Sequence, residues 1–286
     1  MKKIEKIYIL GTGNLALHCA FRARECNREV LLFEMAEKKS MFMETRAKKL
    51  EIQYFHEKKE IVFQRLLEET ESILLVSAIN EYIIPAKVLE KENITAVNLH
   101  QALLPKHPGR NAESWVIFEQ EKVSGVTWHF MESRVDKGDI IIQKEIALDD
   151  DITAYELFQK QIEAAKEAFN EIFEDLIEGK AFGIPQEKRT GIRFHKSSEI
   201  PNEGYLDLSW PGEKRSAFLR AMDYSVLNVM GRPKLIYKQG IYQWKKYEIH
   251  KTDSMEEKVI FREKDIYLQK DKIVISLKDY TKQEEK

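Results

Sequence analysis

The stretch "YILGTGNLALHCA", Tyr8 to Ala20, constrains the fold more than any other part of the 286-residue chain. Lys6 to Leu10 is a short apolar run halted by Gly11, and Leu15 to Cys26 has helical spacing, so the chain opens strand, tight turn, helix. "REVLLFE" (Arg28 to Glu34) reads as a second buried strand, "MFMETRAKKLE" as a helix and "SILLVSA" (Ser72 to Ala78) as a third strand. "ITAVNLH" (Ile94 to His100) is another, entered after the helical "IIPAKVLEKE". Strands alternating with helices predict a parallel sheet covered on both faces, an α/β fold of the Rossmann-like, doubly wound kind.

From Gly125 the pattern changes. "GVTWHFM" and "DIIIQKEIAL", separated by "ESRVDKG", form a hairpin-like pair appended to the sheet. A long amphipathic helix over "AYELFQKQIEAAKEAFNEIFEDLIEGK", capped by Asp150 or Asp151, then closes a first domain, expected over residues 1–182. Residues 183–204 are rich in Gly, Pro, Ser and charge and read as a linker. Residues 205–286 contain short strands separated by turn residues and predict a small β-rich, barrel-like domain.

Charge and cysteine content narrow the partners. Lys plus Arg number 46 against 48 Asp plus Glu, so no global basic field draws in nucleic acid or an anionic membrane. Two cysteines, Cys19 and Cys26, on one predicted helix point to a reducing compartment, with the cytoplasm as the expectation. No apolar run is long enough to span a bilayer, and no signal peptide or anchor is read. A homodimer is compatible with this composition.

Gly11-Thr12-Gly13-Asn14-Leu15-Ala16 fits the G-x-G-x-x-G/A pattern of a dinucleotide loop, and Glu34 ends the second strand where a ribose-binding acid belongs. Taken alone the loop supports an NAD-dependent oxidoreductase. The plainer reading is that any β-α unit of such a sheet needs a tight turn of small residues, and this segment supplies no group to handle a substrate proton.

The segment from Ala96 to Ile141 carries more chemistry. In an extended strand side chains two apart share a face, so Asn98 and His100 project together at the strand's carboxyl end, the usual ligand position in open α/β sheets. "QALLP" follows and sets Leu103 and Leu104 as an apolar wall beside them. Asp136, in the turn "RVDKGD", follows a strand that can bring its carboxylate back to His100. Each has a plainer reading: a hydrogen-bonded strand-end histidine, a turn-capping asparagine, a β-turn aspartate. Metal ligation by His100, His107 and His129 is a further reading, but no ligand spacing supports it.

Asn-x-His-x-x-Leu-Leu-Pro, a Gly-containing loop and a Trp, Gly-Val-Thr-x-His, then Asp-x-Gly-Asp-Ile resembles the formyltransferases that use 10-formyltetrahydrofolate. These include methionyl-tRNA, glycinamide-ribonucleotide and nucleotide-sugar formyltransferases and peptide-synthetase formylation domains. The resemblance is strongest from Asn98 to Ile140. "GVTWHFM" looks most like the peptide-synthetase modules, and "EGYLDLSW", "FLRAM" and "GRP" resemble the C-terminal barrel of two-domain members. The chain departs from the pattern at Ala102, where a serine is common, at Gln101, and in the loop "KHPGRNAES"; these positions concern substrate contacts rather than chemistry.

The resemblance implies transfer of a formyl group from 10-formyltetrahydrofolate to a primary amine without a metal. Asn98 would donate to the oxyanion, a preorganised contact worth roughly 3 kcal/mol. His100 would stabilise charge and assist proton transfers, with Asp136 orienting it. The folate would sit among Tyr82, Ile83, Leu103, Leu104 and Val135. Gly11, Thr12, Gly13 and Asn14 would lie near the amine substrate. The expected acceptor is a nucleotide-linked amino sugar or an amino-acid-type amine, and then initiator tRNA, which would demand a wide basic surface. Hydrolysis of 10-formyltetrahydrofolate and a non-catalytic folate or nucleotide sensor are the other readings.

Overall fold

The computed structural model describes residues 3–283 apart from 189 and 228. In chain order the first elements are β1 (Lys6–Gly11), α1 (Gly13–Arg24), β2 (Glu29–Glu34), α2 (Met41–Lys49), β3 (Gln53–His56), α3 (Lys59–Glu68) and β4 (Ile73–Ala78). They are followed by α4 (Ala86–Leu89), β5 (Ile94–His100), α5 (Ala112–Phe118), β6 (Val123–Phe130), β7 (Ile140–Ala147) and α6 (Ala154–Ile177). The seven strands form one sheet in the order β3-β2-β1-β4-β5-β6-β7. The first five run parallel, and β6 lies antiparallel to β5.

β1 and β4 are apolar almost throughout because helices cover both faces of the central strands. The chain order reverses between β1 and β4, which puts a crevice at their carboxyl ends. In that register Gly11 pairs with Ala78, and a Cβ on Gly11 would stand 1.8 Å from the Ala78 carbonyl oxygen. The first glycine of the opening loop therefore answers to close strand packing.

The sequence reading takes Ser72 to Ala78 as the third strand, whereas the structure places β3 and α3 before it. β3 has four residues at the sheet edge, half-buried, and so lacks the continuous apolar run that reveals an interior strand. The cap of α6 is Thr153 rather than Asp150 or Asp151. Its hydroxyl accepts from the Glu156 amide (3.3 Å), and the Glu156 carboxylate accepts from the Thr153 amide (2.9 Å), a capping box.

Two compact units interleave along the chain: residues 1–109, 125–146 and 160–194 form one, and 110–124, 147–159 and 195–286 the other. The second unit contains α7 (Gly212–Ala221) and the strands β8 (Tyr205–Leu206), β9 (Lys234–Tyr237), β10 (Gly240–Gln243) and β11 (Lys246–Lys251). The strands β12 (Lys258–Arg262), β13 (Asp265–Lys270), β14 (Ile273–Lys278) and β15 (Thr281–Gln283) complete it. These form two four-stranded sheets, β15-β10-β9-β8 and β11-β14-β13-β12. α7 falls in a stretch expected to hold only short strands; it packs on α5, a contact between segments about a hundred residues apart that local sequence does not announce. Among the described residues no helix is long and apolar enough to cross a membrane.

Candidate active site

The antiparallel register of β5 and β6 sets Asn98 opposite His129 and His100 opposite Thr127. Opposite residues and residues two apart share a face, so four polar side chains gather on one side of these two strands. The Asn98 Nδ2 lies 3.1 Å from His129 Nε2, and His129 Nδ1 lies 2.7 Å from the Phe130 carbonyl oxygen. A carbonyl can only accept, so the His129 hydrogen is on Nδ1 and its Nε2 accepts from Asn98. Burial pushes the His129 imidazole below the ordinary histidine range, against the opposing pull of the Phe130 carbonyl and Asp136.

His100 is buried, and its Nε2 donates to the His107 carbonyl at 2.9 Å. That bond turns Nδ1 toward Asp136, whose Oδ2 is 3.6 Å away. This is an ion-pair distance rather than a direct hydrogen bond. The other oxygen of Asp136 is 3.8 Å from His129 Nε2, so the carboxylate stands between two imidazoles. With Nε2 protonated, a neutral His100 presents a lone pair to the carboxylate; a proton taken up at Nδ1 completes the pair.

The turn that carries Asp136 is held by backbone. Asp136 has φ +55°, a left-handed conformation that aspartate tolerates better than most residues. Its Oδ2 accepts from the Gly109 amide at 2.8 Å. Gln186 Nε2 donates to the Asp136 and Gly138 carbonyls, both at 2.9 Å. A Cβ on Gly138 would fall 1.8 Å from the Phe130 carbonyl oxygen, so the turn closes only on glycine. Gln186 lies in the stretch read as a linker, where Ile184 also bridges to Ile140.

The apolar wall has its own brace. The Thr127 hydroxyl donates to the Ala102 carbonyl (2.6 Å) and accepts from the Leu104 amide (3.1 Å), while Gln143 Nε2 donates to the Leu104 carbonyl (2.8 Å). Leu104 is buried and Leu103 half-buried, and Gly125 leaves the room that the Leu103 side chain occupies. Val135 is exposed, as is Ile83, which leaves 72% of its surface accessible. Tyr82 packs against the core, and both its amide and its carbonyl are held by the Asn80 side chain.

Gly11, Thr12 and Tyr82 line a cleft with Glu34, Ile79 and Asn80, at the crevice between β1 and β4. Its polar groups are spent internally. Glu34 accepts from the Thr12 hydroxyl, the Ser40 amide and the Tyr54 hydroxyl, and the Gly13 amide at the start of α1 faces Met43 Sδ at 3.1 Å. Neither the acid nor the amide that a dinucleotide requires is open to one, which counts against the NAD reading. Asn14 is exposed beside it. The Nε2 of His100 and both nitrogens of His129 are likewise committed, against the three-histidine metal set.

The structure brings together Asn98, His100 and Asp136, the three candidates of the sequence, whereas the sequence offers His129 only as a metal ligand and gives no role to Thr127, Gln143, Gln186 or the Gly109 amide. The alternation in "GVTWHF" was the available signal, since it puts Thr127 and His129 on one face; the pairing register that aims them at β5 was not readable.

Residues 23–173 match the family described as Formyl transferase. That stretch is more than half of the chain, which therefore belongs to this family. Among its relatives, the GDP-perosamine N-formyltransferase of Brucella melitensis is 29% identical over 175 residues, 59% of this chain and 66% of that protein. The methionyl-tRNA formyltransferase of Clostridioides difficile is 36% identical over 109 residues, 38% of this chain and 35% of that one. The matched parts thus span just under two thirds of the first relative and about a third of the second. In fold, the chain resembles an N-formyltransferase from Helicobacter canadensis, solved with folinic acid and dTDP-3-aminofucose. The TM-score is 0.75 at 16% identity, over 98% of this chain and all of that one.

Proposed function

We propose that this protein moves a formyl group from 10-formyltetrahydrofolate to the primary amine of a nucleotide-linked amino sugar. The observation that carries the reading is the convergence of Asn98, His100 and Asp136 at the carboxyl end of β5, in a member of the formyl transferase family. Three features support the folate and sugar components. Exposed Ile83 and Val135 offer apolar surface to a flat ring system. A relative alike over its whole length carries a folate and an amino-sugar nucleotide. The near balance of 46 basic and 48 acidic residues supplies no broad field for tRNA, the second choice of acceptor.

Formyl transfer to an amine needs a donor for the developing oxyanion, a base for the attacking nitrogen and an acid for the leaving nitrogen. The Asn98 amide has a second N–H, unused by its bond to His129, to offer the oxyanion. His100 takes the amine's proton at Nδ1, where Asp136 stabilises the imidazolium, and returns it to the leaving nitrogen. The Gly109 amide donates to Asp136 Oδ2 and holds the carboxylate in position.

The test is incubation with 10-formyltetrahydrofolate and GDP- or dTDP-linked amino sugars, with the N-formyl product followed by mass. Asn98→Ala and His100→Ala should each lower kcat by about a hundredfold or more. Undiminished transfer in both variants refutes the mechanism; transfer to methionyl-tRNA alone refutes the acceptor, and release of formate without an amine points to hydrolysis.

A further inference from the structure

We propose that His129 is a positioning residue of this site: through its unprotonated Nε2 it fixes the direction in which the Asn98 amide presents its donor. The inference rests on the formyl-transfer reading and adds a residue to it. It follows from a chain of three groups, each allowing one arrangement of the next.

The Phe130 carbonyl has no hydrogen to give, so the 2.7 Å contact requires a hydrogen on His129 Nδ1. A neutral ring protonated there has a lone pair at Nε2. The atom of Asn98 that faces it at 3.1 Å must then be the NH2 group, because the amide turned over would set the oxygen against that lone pair. A fixed backbone carbonyl on β6 thus decides which end of a side chain on β5 carries the donor. The cross-strand register makes this possible, since Asn98 and His129 are direct partners.

The ring must stay neutral for the device to work. A second proton would put Nε2–H against the Asn98 N–H, and the amide would turn its oxygen inward and lose the donor. The groups that act on this ring are Asp136, whose Oδ1 lies 3.8 Å from Nε2, His100 and Glu132. Asp136 and Glu132 favour the proton, but His129 is only 3% exposed, and burial opposes the charge. A ring present for packing alone would need neither nitrogen.

Two variants separate aim from bulk. His129→Phe fills the space and removes the acceptor, whereas His129→Gln sets an amide oxygen near the position of Nε2 and does not titrate. In steady-state assays with 10-formyltetrahydrofolate and the accepted amine, the Phe variant should lose about 10- to 100-fold in kcat with KM within about twofold. The Gln variant should recover most of that loss. In ¹⁵N-histidine-labelled wild-type protein, His129 should show a protonated Nδ1 and a bare Nε2, and Asn98→Ala should shift the Nε2 resonance. A fully active Phe variant, a Gln variant as poor as Phe, or a protonated Nε2 overturns the proposal. Should wild-type protein formylate no amine, the reading under Proposed function fails, and the ¹⁵N pattern still decides whether His129 orients Asn98.

Discussion

Replacing Thr127 by valine keeps the shape of the side chain and deletes one hydroxyl. That hydroxyl is fully buried, donates to the Ala102 carbonyl at 2.6 Å, and accepts from the Leu104 amide at 3.1 Å and from Gln143 Nε2 at 2.9 Å. Gln143 keeps its bond to the Leu104 carbonyl, so its loss is partial. The Ala102 carbonyl and the Leu104 amide lose the bonds that the hydroxyl supplies, at about 1–3 kcal/mol each. Burial of an extra methyl returns about 1 kcal/mol. A net loss of about 3 kcal/mol is expected, a large share of the roughly 5–15 kcal/mol that holds a domain together. Urea denaturation should show a lower midpoint at unchanged slope, and hydrogen exchange at the Leu104 amide should quicken. Because this brace holds the wall beside His100, formyl transfer should weaken as well. Thr127→Ser, which keeps the hydroxyl, should lose less stability than Thr127→Val. A valine variant within about 0.5 kcal/mol of wild type, or a serine variant worse than the valine one, refutes the reasoning.

Gly11→Ala should destabilise by about 2 kcal/mol or more in thermal denaturation, since the new methyl meets the Ala78 backbone, and NADH should not raise the melting temperature of the wild type. Thr153→Ala, which removes the capping box of α6, should cost about 1 kcal/mol, with no such loss in Thr153→Ser. Burial alone would raise the Glu69 carboxyl, but the Tyr8 hydroxyl and the Lys6 ammonium bring it from an ordinary 4.5 down to about 2. A depressed acid stabilises the fold fully above pH 4.5 and loses that contribution as the pH falls toward 2. Glu69→Gln should therefore be less stable than wild type at neutral pH, with the gap closing between those values; a gap independent of pH would contradict the assignment.

The parallel sheet, the appended β6 and β7, and α6 were legible in the chain because buried strands and amphipathic helices write their burial as apolar periodicity. β3, α3 and α7 were not. β3 is a half-exposed edge, and α7 is stabilised by α5, which lies far from it in the chain. The two-residue period of a strand put Asn98 and His100 on one face and a turn offered Asp136, but only the resemblance to formyltransferases gave the three a catalytic role.

What residue order alone determined was a set of candidate polar groups, Asn98, His100 and Asp136, and the element that carries each, since side-chain chemistry and local periodicity are properties of short segments. Tertiary structure decided how those groups are aimed. The β5–β6 register set His129 against Asn98, the turn closed by Gly138 and Gln186 lodged Asp136 between two imidazoles, and Glu34 was consumed by Thr12, Ser40 and Tyr54. Apart from the local Glu34–Ser40 bond, these contacts join residues about 20 to 50 positions apart, and their partners are chosen by packing and by the need to pair buried polar atoms, neither of which is encoded in any one segment.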